Sequence, residues 1–230
     1  MEKKKPRQLI VDTLLEKSTV KLDVCKITAS VFKGFKKAAA EIASDLQEKV
    51  STLDRRLEIK FKEKGEGEFV FQIAGDVIVF TAHTNVFDFD KSHQLWSTSY
   101  LKENPSRSLC GVIHIYNFLA DSYEYQRMDD VGYLIARVFI NKEKHYFVEG
   151  KRQLSFLYND FSNAIVKPED ITAIIESAIL YSMDFDLLVP PYDSIKQVSV
   201  SEMYEWSKNL GIKTGKRLGF KFQADGEDVL

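Results

Sequence analysis

The spacing of apolar residues changes once along this chain, near Arg56, and that change limits what the chain can fold into. From about Val20 to Leu53 apolar residues recur every seven positions, which predicts one long amphipathic helix. The members of this row are Cys25, Phe32, Ala39, Leu46 and Leu53. After Arg56 apolar and polar residues alternate, as they do in half-buried strands. The chain is therefore predicted to be an α+β protein with the long N-terminal helix packed on a sheet.

The sheet is predicted to contain about six strands and to be mostly antiparallel. Turn residues at 65–67, at Gly75-Asp76 and at 141–144 separate consecutive apolar segments by only a few positions. Such short connections favour antiparallel neighbours, and the first three segments predict a meander. The predicted strands are Leu57–Phe61, Phe69–Ile73, Val77–Ala82, Leu109–Leu119, Tyr133–Ile140 and His145–Val148.

Further helices are predicted at both ends of the chain. A short first helix is expected over Leu9–Leu15, a buried helix after Pro168, and a last helix from Ser199 to about Asn209, followed by a strand at Leu218–Phe222. The predicted organisation is a helical segment at 1–56 that packs on the same domain, a sheet domain with its closing helix at 57–190, and a C-terminal helix and tail at 191–230. Over residues 20–190 this order resembles the layout of ligand-sensing sheet domains of the GAF and PAS type.

Composition limits the kinds of binding partner and the cellular location that we expect for this protein. The chain has 32 basic and 34 acidic residues, so no global field would hold a polyanion or an anionic membrane, and nucleic acid is not an expected partner. No apolar run is long enough to span a bilayer, and the charged start is unlike a signal peptide, so a cytoplasmic location is expected. Cys25 and Cys110 are too few and too far apart for a disulfide framework and are expected to be buried thiols.

Two histidines and a tyrosine are the first candidate ligand-binding residues. His83 and His114 fall in strands that are predicted to be central, and Tyr116 follows His114 by two positions, so the two share one sheet face. Together the three side chains could line a small-molecule pocket. The alternative is that each is an ordinary core or surface residue of its strand.

Asp130, Glu149 and Lys151 form a candidate catalytic trio. Their order resembles the Asp…Glu-x-Lys pattern of restriction-type nucleases, which implies two carboxylates on Mg²⁺ and a lysine near the attacking water. Gly150 departs from that pattern, because it replaces the apolar residue that keeps both polar groups on one continuing strand. A solvated strand end explains the same residues.

A third cluster could ligate a divalent metal. Asp88, Asp90 and His93 lie within six residues and offer oxygen and nitrogen donors. Phe87 and Phe89 interleave with the aspartates, so an alternating edge strand with its carboxylates in water is the simpler interpretation.

Three functional hypotheses follow from these observations. The first is a non-catalytic regulatory or interaction module that binds a small molecule or a protein, with the long helix contacting a partner or a second copy. The second is a magnesium-dependent nuclease built on Asp130, Glu149 and Lys151; only this hypothesis calls for a cofactor. The third is a structural subunit of a larger assembly.

Overall fold

The computed structural model describes residues 5–151, 154, 157–184, 189 and 191–208, and it has the predicted α+β fold. The helices are α1 Pro6–Thr13, α2 Thr19–Leu53, α3 Ser99–Glu103, α4 Ala120–Glu124, α5 Pro168–Met183, α6 Tyr192–Ile195 and α7 Val200–Lys208. The strands are β1 Ile59–Glu63, β2 Glu68–Ile73, β3 Asp76–Ala82, β4 Cys110–Leu119, β5 Tyr133–Asn141 and β6 Tyr146–Gly150. The strand expected at Leu218–Phe222 lies outside the described residues.

The six strands form one antiparallel meander in the order β1-β2-β3-β4-β5-β6. Every strand therefore pairs with its neighbours in sequence, as the short predicted turns require. The longest insertion in the sheet separates β3 from β4, and it carries α3 between 3₁₀ turns at Gln94–Ser97 and Pro105–Ser108. We call residues 83–109 the cap segment.

Helix α2 and helix α5 cover one face of the sheet. Alternate residues of each strand meet them in the main core, whose largest fully buried members include Phe32, Phe35, Phe69, Phe71 and Phe80. The buried residues of α2 recur at helical spacing through Val24, Thr28, Val31, Phe35 and Ala39. Gly34 lies where α2 meets α5, and a Cβ there would come within 3.0 Å of Ile171 Cδ1. The close packing of the two helices therefore explains why glycine, which disfavours helix formation, occupies this position.

The predicted seven-residue row describes only the middle of α2. Phe32 and Ala39 are buried, but Leu53 is 86% exposed and the Cys25 thiol is also exposed, which corrects the expectation that both cysteines are buried. A straight helix drifts about 20° per heptad relative to a seven-residue repeat, so a long row cannot stay on one core face. Val24 faces the core in place of Cys25, while Cys110 is fully buried as predicted.

The N-terminal helix is longer than the sheet requires. Helix α1 continues into α2 through a π-helical segment, Leu14–Ser18, because no proline or glycine interrupts the chain there. Neither α1 nor the π-helical segment has a buried residue. Among the described residues, no helix is both long and apolar enough to cross a membrane.

Candidate ligand-binding site

The sheet face opposite α2 and α5 carries a row of polar side chains that crosses five strands. Strand pairing aligns Glu68 with Thr81 and Thr81 with His114. It then aligns His114 with Arg137 and Arg137 with Glu149. Side chains at paired positions of adjacent strands point to the same face, so the row is continuous across the sheet.

An apolar row lies beside the polar one. Val112 pairs with Phe139 and Phe139 pairs with Phe147, and all three are buried. The rings of Phe139 and Phe147 stack with centroids 4.8 Å apart, and Phe89 of the cap segment packs on them at 5.1 and 5.6 Å. The cap segment thus rests on the apolar row and leaves the polar row beside its edge.

Two sets of contacts hold the cap segment in place. Phe87 forms backbone hydrogen bonds in both directions with Cys110, of 2.8 and 2.9 Å, which ties the start of the cap to β4. Further along the cap segment, the Asn141 amide donates to the Tyr100 hydroxyl of α3, and that hydroxyl donates to Glu143, both at 2.9 Å. Burial, opposed by the Asn141 hydrogen bond and reinforced by Glu143, raises the pKa of Tyr100 to about 12, so the hydroxyl keeps its proton.

Between the cap segment and the polar row lies a cleft of about 260 Å³. Its floor is apolar and its rim is polar. The lining residues are Phe87, Asp88, Phe89, Asp90, His93, Val112, His114, Arg137, Phe139, Phe147 and Glu149.

The three predicted pocket residues lie close together, although only His114 lines the cleft. The ring centroids of His83 and His114 are 6.1 Å apart. The His114 ring also stacks on Tyr116, with centroids 5.9 Å apart, on the sheet face opposite α2 and α5. Whether a ligand contacts them stays a prediction.

The pKa of His114 is lowered by burial, by Arg137 and by His83, in that order. A lowered pKa means that the unfolded chain takes up the proton more readily than the folded protein does. The stability linked to His114 is therefore complete above the unfolded value of about 6.5 and is lost as the pH falls through the folded pKa.

We expect His114 to titrate below pH 6.5 when its ring carbon–proton signals are followed by NMR. Arg137→Gln should move the midpoint upward, because it removes a nearby positive charge. Lys60→Gln, which removes a lysine from edge strand β1, is the control and should leave the midpoint unchanged. An unchanged His114 midpoint in Arg137→Gln would contradict the electrostatic coupling within the row.

Asp130, Glu149 and Lys151 have different hydrogen-bond partners in the structure. Asp130 accepts a 2.6 Å hydrogen bond from the Ser122 hydroxyl of α4, whereas Glu149 accepts a 2.7 Å bond from Arg137 Nε on β5. Lys151 follows the end of β6 and donates its backbone N–H to Ile135. The nuclease trio stays a sequence prediction.

Asp88, Asp90 and His93 line one wall of the cleft, and each is engaged within its own turn. Asp88 Oδ1 accepts the Phe89 N–H at 2.9 Å, Asp90 Oδ1 accepts both Ser92 donors, and His93 Nδ1 accepts the Leu95 N–H at 3.3 Å. Over the part of the chain that the structure describes, no group of three or more His, Cys, Asp or Glu side chains is arranged to hold a metal ion.

The cleft brings together residues for which the sequence predicts three different roles. His114 is predicted as a pocket residue, Asp88, Asp90 and His93 are predicted as metal ligands, and Glu149 is predicted as a catalytic residue. Sequence reasoning missed Arg137, Phe139 and Phe147. Their alternation predicts which face each occupies, but only the pairing register brings them beside His114.

No family model, no curated protein and no solved structure matches this chain. The layout resemblance to GAF and PAS domains therefore gains no support from relatives.

Proposed function

We propose that this protein is a non-catalytic binding module that holds a small molecule in the cleft beneath the cap segment. The supporting observation is the combination of a buried apolar floor with charged and polar groups at the rim of one concave site. Small-molecule sites commonly have this composition, because the floor supplies affinity and a few polar groups fix orientation.

Contacts within the protein itself hold this arrangement in place. The stacked rings of Phe139 and Phe147, the two Phe87–Cys110 hydrogen bonds and the Tyr100–Glu143 contact together fix both the floor and the cap. A preformed site loses little conformational entropy on binding, which favours affinity in a site of this small volume.

A fragment screen by ligand-observed NMR tests this proposal. We expect His114→Trp, which places a larger ring at the cleft, to weaken fragment binding by about tenfold or more, a loss of roughly 1.4 kcal/mol. Gln72→Trp is the matched control, since Gln72 lies on the same sheet face on β2 and outside the cleft lining. Equal binding by the wild type and His114→Trp would place the fragments elsewhere and remove the support for this site.

Self-association through the N-terminal helix is a second proposal, and a separate observation favours it. Six large aliphatic side chains near the start of that helix are between 46% and 63% exposed. They are Leu9, Ile10, Val11, Leu14, Leu15 and Leu22. Exposed aliphatic side chains concentrated in one segment are typical of protein contact surfaces, which bury roughly 800 Å² per partner in a standard interface.

We expect Leu15→Glu to weaken a homodimer by about tenfold or more, because a carboxylate would have to be buried in an apolar contact. Analytical ultracentrifugation over a range of protein concentrations measures the effect. Leu53→Glu introduces the same charge at the far end of α2, where the leucine is 86% exposed, and should leave the equilibrium unchanged. A wild type that stays monomeric at every concentration would reject self-association through this helix.

A further inference from the structure

The rim of the cleft carries more negative than positive charge. Asp88, Asp90 and Glu149 supply three carboxylates, whereas Arg137 is the one basic side chain among the described lining residues apart from the histidines. Arg137 already pairs with Glu149, with 2.7 Å between Nε and Oε2. The charges of the two aspartates are therefore left without a basic partner in the lining.

Lys91 and His114 do not neutralise these aspartates. Lys91 lies between them in sequence, but its Nζ is 3.1 Å from the centre of the Trp96 ring, and Lys91 is not part of the lining. The lowered pKa of His114 keeps its imidazole neutral at pH 7.

Asp90 in particular is held in its charged form. Its Oδ1 accepts a 2.7 Å hydrogen bond from the Ser92 hydroxyl and a 2.9 Å bond from the Ser92 N–H, and these bonds lower the pKa of Asp90. Asp88 Oδ1 accepts the Phe89 N–H. Within the described residues, the side-chain hydrogen bonds that these two aspartates accept all go to Oδ1.

Aromatic rings alternate with these carboxylates. Phe87 is 38% exposed and Phe89 is partly buried, and both line the cleft above the buried floor. Cations are attracted to the faces of aromatic rings, and carboxylates add charge-assisted hydrogen bonds to an ammonium group.

We infer that the cleft takes a small organic cation, an amine whose ammonium group lies against Asp88 and Asp90 and whose apolar body lies on Val112, Phe139 and Phe147. This inference rests on the proposed binding function and names its ligand class. A cavity of about 150 Å³ accommodates a benzene molecule. The cleft of about 260 Å³ therefore has room for one ring with a short aminoalkyl chain.

Three probes of nearly equal size test the ligand class at pH 7. They are phenethylammonium, phenylacetate and 2-phenylethanol, which share a phenyl ring and a two-carbon chain and differ in the charge of the end group. Titrations followed by protein-observed NMR should show that phenethylammonium binds about tenfold more tightly than the alcohol, and that the carboxylate binds more weakly than either.

Conservative variants connect the preference to the two aspartates. Asp88→Asn and Asp90→Asn keep the Oδ1 acceptor and remove the charge, so each should weaken phenethylammonium several-fold while leaving the alcohol almost unchanged. Asp45→Asn is the matched control, because Asp45 is an exposed aspartate of α2 paired with Lys49 and lies outside the cleft lining. It should not change the affinity of any probe.

The outcomes separate this inference from the proposal on which it rests. Binding of the alcohol or the carboxylate at the cleft, at least as tight as that of the ammonium, would overturn the ligand class and leave the binding function standing. Equal loss of phenethylammonium affinity in Asp45→Asn and Asp90→Asn would also overturn it. Absence of all three probes from the cleft would overturn both claims.

Discussion

Replacing Phe69 with alanine is expected to lower the free energy of unfolding by about 3–5 kcal/mol. Phe69 is fully buried on β2, between the sheet and α2. Its ring stacks on Phe80 with centroids 4.5 Å apart and also contacts Phe32 at 5.4 Å and Phe61 at 5.5 Å. Truncation would therefore remove contacts to three rings at once and leave a cavity where the helix and two neighbouring strands meet.

Urea denaturation followed by circular dichroism measures this loss. Leu53→Ala is the control in the same protein, since Leu53 is 86% exposed at the end of α2 and its truncation should change stability by less than about 0.5 kcal/mol. A loss below about 1 kcal/mol for Phe69→Ala would mean that the helix does not rest on β2 as described.

Gly111→Ala is expected to lower the free energy of unfolding by about 2–3 kcal/mol through overpacking. A Cβ at this position of β4 would overlap Thr28 Oγ1 and lie only 2.8 Å from the Thr28 Cβ. Thr28 is 3% exposed and its hydroxyl donates to the Val24 carbonyl within α2, so the side chain cannot turn away without a loss. The helix backbone would have to move from the sheet.

A double-mutant cycle assigns the loss to this contact. Thr28→Ala removes Oγ1 and Cγ2, so the double variant should lose less stability than the two single variants together, by about 1 kcal/mol or more. Gly75→Ala is the control, because a Cβ at Gly75 meets nothing within 4 Å. Additive losses in the cycle would contradict the close approach of α2 to β4.

Local sequence patterns determine most of the fold because each strand pairs with its neighbours in sequence. In a meander every strand pairs with its sequence neighbour, so turn signals such as Gly75-Asp76 predict the sheet order as well as the strand ends. The seven-residue row predicts the buried face of α2 less well, because helical drift turns Cys25 and Leu53 out of the core.

The cleft could not be predicted in the same way, because it depends on long-range geometry. Asp88 and Glu149 are far apart in sequence and share the cleft only because the cap segment folds back over the β5–β6 edge of the sheet. The cap segment is held by contacts such as that of Tyr100 with Glu143, and no periodic sequence pattern predicts these contacts. The alternation of apolar and polar residues predicts that Arg137 and Phe139 point to the sheet face opposite that of their sequence neighbours. It does not predict that they lie beside His114.

Amide chemical-shift mapping with a bound fragment tests whether the cleft beneath the cap segment is the ligand site. We expect the largest shifts at residues 87–93, 112–114, 137–139 and 147–149, which form the lining and its immediate neighbours. Shifts concentrated on α1, α2 or β1 instead would contradict it.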